Sequence, residues 1–279
     1  MNKAKRSSML CPNCGRLVSI HEPTCHHCGI ARPGAWWNRL LSGWRGDPNR
    51  LVLWLIYLNG AMFLVSLVLD LRYISVTPNP LSFLSPSTEA LVLLGAAGTG
   101  TMQGVQGWWT LWAANYLHAG ILHIFFNMAA LRQLAPLVIR EYGPDRMVSI
   151  YTLGGVLGFL VSYLAGVRLT IGASAAVCAL VGAILYYGRS RGGSYGTALF
   201  RQVGGWVLFI FIFGFVVPGI NNWGHGGGMA AGILLGYALG YQERKPVRLW
   251  HKWIAGACAL VTLLVLVYAV FTAFLIRFS

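Results

Sequence analysis

The stretch NNWGHGGGMAAGILLG, residues 221–236, decides how this chain must fold. Gly224, Gly228, Gly232 and Gly236, with Gly240 just beyond, recur every four residues. On a helix that spacing draws one smooth stripe. In water so many glycines would weaken the helix. Inside a bilayer, small residues let two helix backbones approach closely. The stripe therefore asks for a partner. IGASAAVCALVGA, residues 171–183, supplies one: Ser174, Cys178 and Gly182 also recur every four. If the two stripes pack, His225 lies beside Ser174.

The rest of the chain fits a membrane setting. Of 279 residues, 56% are hydrophobic and 10% are charged, and the mean hydropathy is +0.61. A soluble domain is about a quarter charged, so most of this chain is not built to face water. Apolar runs cover residues 51–71, 117–139, 147–167, 171–188, 202–218, 225–242 and 253–276. Each approaches the roughly 20 residues that a bilayer crossing needs, which predicts seven spans. The first run starts after residue 50, so an N-terminal secretory signal is not expected.

Lys and Arg set the orientation. Eight of the 21 lie in the first 50 residues, and others sit at 140–146, 189–201 and 241–252. The connection from Tyr73 to Tyr116 holds none. Basic short loops stay in the cytoplasm. This predicts a cytoplasmic N-terminus, an outer 73–116 connection and, after seven spans, an outer C-terminus. The formal charge of +14 then reads as a topology signal with attraction to anionic lipid heads. The basic residues are scattered among loops, so nucleic acid is not an expected partner.

Residues 11–28 read CPNCGRLVSIHEPTCHHC. Cys11, Cys14, Cys25 and Cys28 form two CxxC pairs, each able to turn two thiolates toward one point. Together they predict a closed tetrahedral Zn²⁺ site, structural rather than catalytic. A reducing cytoplasm disfavours disulfides. His26 and His27 are substitute ligands. So short a segment needs a metal to fold. The head resembles a zinc ribbon and offers a docking surface for a cytoplasmic protein partner. Trp36, Trp37, Leu40, Leu41 and Trp44 then share one face of an expected interfacial helix, with Arg39 and Arg45 off it.

Polar groups inside a bilayer are costly and point to function. Three places carry them: Ser174; His118, His123 and Asn127 within residues 117–128; and His225. Asn127 lies four residues after His123, on the same helical face. By the topology above, these groups gather near the outer ends of three helices. A serine beside a histidine is an activated nucleophile. No acidic residue is placed to orient the histidine, which points to a Ser–His dyad. His123, Asn127 and the Ser174 backbone N–H are candidate donors to a developing oxyanion.

HAGILHIFFN (118–127), GAS (172–174) and HGGGMAAG (225–232), in this order on separate spans, resemble the rhomboid intramembrane serine proteases. The last fits the family's HxxGxxxG pattern through His225, Gly228 and Gly232. The resemblance covers residues 51 to about 242. It implies an all-α membrane protein with a six-helix core, to which this chain adds a seventh transmembrane helix and a small zinc-binding domain. The expected organisation is a head at 1–32, an interfacial linker at 33–50, a membrane core at 51–242, and a loop and last helix at 243–279. It implies catalysis by Ser174 and His225, an oxyanion site at His123 and Asn127, and support from His118, Gly172, Gly228 and Gly232. It implies cleavage of transmembrane protein substrates near the outer face. The chain departs from the family at Ala175, often glycine, at Cys178, often a tyrosine stacked on the histidine, and at Thr110, where the family's Trp–Arg pair has arginine. The expected location is a prokaryotic plasma membrane. Two other readings stand beside this one: a rhomboid-like protein that binds membrane clients without cutting, and a transporter. The polar groups lie at one shallow level, which suits a site better than a path.

Overall fold

A computed structural model describes residues 7–11, 16–27, 30–36, 48–74, 83–102, 107–217 and 219–279. The chain divides into two compact units, Met1–Leu55 and Ile56–Ser279.

In the first unit two short strands, β1 (Ser8–Leu10) and β2 (Leu17–Ser19), pair antiparallel with Met9 opposite Val18. The Cys11 N–H donates to the Arg16 carbonyl at 2.7 Å, closing one loop, and the Cys25 N–H donates to the Ile30 carbonyl at 2.9 Å, closing another. Cys11 and Cys25 are buried with Val18 in one cluster, against Met9 and Ile30. Cys14 and Cys28 lie outside the described residues, as does most of the expected interfacial helix. Among the described residues no group of three metal-ligating side chains forms. His26 and His27 are exposed and face Glu22 at 3.4 Å and Arg16 at 3.3 Å.

Seven helices of 18 residues or more follow among the described residues: α1 (Pro48–Val68), α2 (Ile121–Tyr142), α3 (Pro144–Leu164), α4 (Ser174–Arg191), α5 (Gly193–Val216), α6 (Asn222–Leu239) and α7 (Leu249–Phe278). Five are long and apolar enough to cross a membrane: α1, α2, α3, α5 and α7. The other two, α4 and α6, have 18 residues each, or roughly 27 Å of rise. They form the centre, packed chiefly on each other and on α3.

Each helix corresponds to one apolar run, but the ends differ. Hydropathy does not see caps. Pro144 at the first turn starts α3 three residues before its run begins, and Gly143, Gly192 and Gly240 stop α2, α4 and α6. His118, read from sequence as part of the second span, lies before α2, in the segment between a turn at Ala114–Tyr116 and Gly120.

The α6 glycine stripe packs on α4, but of the expected Ser174, Cys178 and Gly182 row only Gly182 makes the contact, and Ala175 and Ala179 take the other two places. A β-carbon on Gly228 would collide with the Ala175 carbonyl, one on Gly232 with the Ala179 carbonyl, and one on Gly182 with the Met229 carbonyl. The α4 and α6 backbones therefore touch along their length. Gly158 of α3 closes the third side, where a β-carbon would lie 2.8 Å from the Gly224 carbonyl and 3.0 Å from Ala175 Cβ.

The described part of the connection between α1 and α2 is folded. Short helices at Thr88–Leu93, Thr99–Met102 and Thr110–Ala113 bury Leu94, Ala97, Ala113 and Ala114 completely. Ala97 and Thr170 exchange backbone hydrogen bonds of 3.1 and 2.7 Å. This joins the connection to the segment that precedes Ser174.

Ion pairs relate the helix ends. Arg277, near the carboxyl end of α7, donates to Asp70, just past the carboxyl end of α1, at 2.6 Å, and reaches Glu89 at 3.3 Å. Ser87 donates to the second Asp70 oxygen at 2.7 Å. The carboxyl ends of α1 and α7 thus lie at the same end of this unit. Asp70 is buried, so Asp70→Asn removes the buried half of the pair and leaves Arg277 only the more exposed Glu89. The expected loss of stability is about 2 kcal/mol, read as a lower thermal midpoint in detergent.

Candidate active site

The site forms where the segment 170–174, the start of α2 and the start of α6 converge. Ser174 is the first residue of α4 and half-buried. The turn before it is fixed from two sides. The Gly172 N–H donates to the Ala114 carbonyl at 2.8 Å, and Thr170 pairs with Ala97. Gly172 itself has φ +122°, a conformation that only glycine adopts readily. A β-carbon there would lie 2.7 Å from His123 Nε2 and 3.6 Å from Ser174 Oγ. The missing side chain is thus the space in which the histidine and the hydroxyl face each other.

His123 is held in one protonation form. The Ala119 N–H donates to His123 Nδ1 at 3.2 Å. A nitrogen that accepts carries no proton, so in the neutral ring the proton sits on Nε2. The Nε2–H is the atom turned toward Gly172 and Ser174. His118 is fully buried, and its ring meets the His123 ring edge-on at 5.1 Å. It is a wall behind the donor and has no access to the site. Asn127 lies one turn further along α2, buried, with its amide donating to the His123 carbonyl at 2.9 Å. One of its two amide hydrogens is engaged on its own helix.

His225 stands in the first turn of α6, near enough to His123 for the charges of the two rings to interact. Its Nδ1 is buried and meets no hydrogen-bonding partner among the described residues. Ser174 Oγ and His225 are not hydrogen-bonded to each other. Gly228 and Gly232, the other residues of the HxxGxxxG pattern, pack on the Ala175 and Ala179 carbonyls as described above. Ala175 and Cys178 are buried in the α4 core. Thr110 is buried and donates to the Gly107 carbonyl at 3.0 Å.

Asn221 is a residue that the sequence reading missed. Its side-chain oxygen accepts from the Gly224 N–H at 3.0 Å, capping α6. Its amide nitrogen donates to Ser162 Oγ at 2.7 Å and Thr170 Oγ1 at 2.8 Å. One side chain thus ties together the end of α3, the segment before Ser174 and the helix that carries His225. An Asn ahead of a glycine-rich helix is a capping signal; its two donor partners are visible only in three dimensions. Asn221→Ala is expected to cost about 1 kcal/mol for the cap, plus the loss of its two donated bonds. Asn221→Asp keeps the cap without the donors. The thermal midpoints of the two variants in detergent separate the contributions.

Residues 105–242 match the Rhomboid domain family. The chain is 36% identical over 161 residues to "Rhomboid protease GluP" of Bacillus subtilis (strain 168), covering 56% of this chain and 31% of that protein. It is 32% identical over 164 residues to "RHOMBOID-like protein 4" of Arabidopsis thaliana, covering 58% and 41%. It is 31% identical over 182 residues to "RHOMBOID-like protein 6, mitochondrial" of the same plant, covering 63% and 58%. The matched stretch therefore spans less than two thirds of each of these relatives.

Proposed function

We propose that this chain, whose residues 105–242 match the Rhomboid domain family and which carries helices long and apolar enough to cross a membrane, is an intramembrane serine endopeptidase working through a Ser174–His225 dyad. The observation that carries the reading is the convergence at Gly172. A hydroxyl at a helix start and an imidazole N–H share a space that only glycine leaves open.

In this reading Ser174 Oγ attacks the scissile carbonyl carbon while His225 takes its proton. The oxyanion receives hydrogen bonds from His123 Nε2–H, from the Asn127 amide hydrogen not committed to its own helix, and from the Ser174 N–H. His225 then passes its proton to the leaving amine as the C–N bond breaks. A water, deprotonated by His225, attacks the acyl-enzyme. The second bond cleavage frees the carboxyl product and returns the proton to Ser174. The Nδ1 of His225, which meets no hydrogen-bonding partner among the described residues, supports a dyad over a triad. Tight α4–α6 packing fixes the relative height of serine and histidine.

The substrates are transmembrane proteins cut near the outer face, and water reaches the site from that side. Seven crossings put the N-terminus in the cytoplasm and the C-terminus outside. The shared end of α1 and α7 supports that odd number. The setting is a prokaryotic plasma membrane. The head holds a structural Zn²⁺ through Cys11, Cys14, Cys25 and Cys28 and offers a cytoplasmic partner a surface; no catalytic step passes through it. Asn127→Ala is expected to lower turnover by about 10²–10³-fold with KM little changed, as steady-state kinetics would read.

One observation favours a silent, client-binding protein: the missing Ser174–His225 hydrogen bond. Catalytic hydrogen bonds often tighten only when substrate is bound, so the active reading stands first. Reconstitution in proteoliposomes with a single-span reporter tests it. Cleavage near the outer face by wild type and none by His225→Ala is expected. An intact reporter co-purifying with the wild type would favour the silent reading.

A further inference from the structure

At the end of the bundle opposite the candidate active site, a cavity of about 270 Å³ is lined by Arg244, Lys245, Pro246, Arg248, Trp250 and His251. Three of these are cations. None of the three meets a carboxylate within 4 Å among the described residues. Glu243, their neighbour in sequence, is taken by Arg191 at 2.8 Å. Arg244 donates to the Tyr186 hydroxyl at 2.7 Å and Lys245 to the Ala238 carbonyl at 3.3 Å, both neutral. Behind them Arg146 is fully buried and donates to the Lys245 and Pro246 carbonyls at 2.9 and 3.0 Å. That contact fixes the turn and adds a fourth positive charge. Asp145 lies within electrostatic reach of His251 and offsets one. The wall is rigid: the Arg248 N–H donates to His251 Nδ1 at 2.9 Å, and the Trp250 ring lies over the imidazole at 3.8 Å.

The cavity opens at the amino end of the 30-residue helix α7, whose dipole favours an anion. Trp250 and Trp253 are exposed there, as side chains are at the headgroup level of a membrane. Below them Leu260, Leu264 and Val267 continue an exposed apolar face along α7.

We propose that this cavity binds the phosphate of an anionic phospholipid headgroup, with the acyl chains along α7. Neutral-lipid headgroups carry a compensating ammonium and gain less from uncompensated cations. A soluble phosphate has the same headgroup chemistry but no use for the apolar face, and this selects the lipid. The proposal does not depend on the protease reading.

The test uses the full chain, delipidated in detergent and titrated with phosphatidylglycerol and with phosphatidylcholine, with binding read by native mass spectrometry. Wild type is expected to prefer phosphatidylglycerol. Arg244→Gln with Arg248→Gln should weaken that binding by about tenfold or more, given that each cation near an anionic surface contributes roughly fivefold. Phosphatidylcholine binding should not change. Arg244→Lys with Arg248→Lys keeps the charge and should retain the preference, which separates lost charge from lost fold. Millimolar inorganic phosphate should leave phosphatidylglycerol bound. Equal binding of the two lipids by wild type, or unchanged phosphatidylglycerol binding by the glutamine pair, overturns the proposal. Displacement by inorganic phosphate overturns its lipid assignment.

Discussion

Replacing Ser174 with alanine is expected to abolish peptide-bond cleavage, a loss on the order of 10⁶-fold if the hydroxyl is the nucleophile. The protein should remain folded. Ser174 is half-buried, and its hydroxyl makes no hydrogen bond among the described residues, so the change removes one atom from an open space. The thermal midpoint in detergent should move little, as expected for a substitution worth less than about 0.5 kcal/mol. A variant that loses both stability and cleavage would assign the serine a packing role instead. His225→Ala is expected to match it in turnover, because a dyad fails when either member is absent.

Gly232→Leu is expected to have the largest effect on the fold. A β-carbon at this position already collides with the Ala179 carbonyl. That atom belongs to the backbone of α4 and has no rotamer to escape into. The two helices must separate, and the packing that drives helix association in a membrane goes with them. Overpacking of this kind costs about 1–3 kcal/mol in soluble cores; here the collision is with backbone, and the upper end or more is expected. Gly226 on the same helix has nothing within 4 Å of its β-carbon position. Gly226→Ala should therefore leave the thermal midpoint unchanged or raise it slightly, since alanine favours the helix. Equal midpoints for Gly232→Leu and Gly226→Ala would contradict the observed packing.

The bundle was legible in the sequence for a physical reason. A membrane helix must be apolar along its whole length, so Leu51 to Val68 or Trp253 to Ile276 announce themselves. Close helix contact demands small residues, so the Gly228 and Gly232 row pointed to a partner helix, while the choice of Ala175 and Ala179 over Ser174 and Cys178 as its contact face is set by how α4 turns in the packed bundle. Ser174, His123 and His225 stood out because polarity is costly among apolar neighbours.

The same logic hid other residues. Asn221, Ser162 and Thr170 sit at helix ends, where polar side chains are ordinary, and only their meeting gives them meaning. Arg146 looked like one more loop cation setting topology, yet it is fully buried and holds the turn before α7. The connection from Tyr73 to Tyr116 lacks the period of a span, so nothing local foretold that Leu94 and Ala97 would be core residues. His118 was placed one element too late because hydropathy runs on through Gly120, where the helix begins. In the head, Cys11 and Cys25 are buried together with Val18, while Cys14 and Cys28 lie outside the described residues.

The first experiment is reaction with a fluorophosphonate probe in detergent, with wild type beside Ser174→Ala and His225→Ala. Covalent labelling of the wild type alone, mapped to Ser174, is expected, because the probe reports a serine whose proton a neighbouring base can take. A folded wild type that stays unlabelled, or label retained in Ser174→Ala, would contradict the Ser174–His225 dyad.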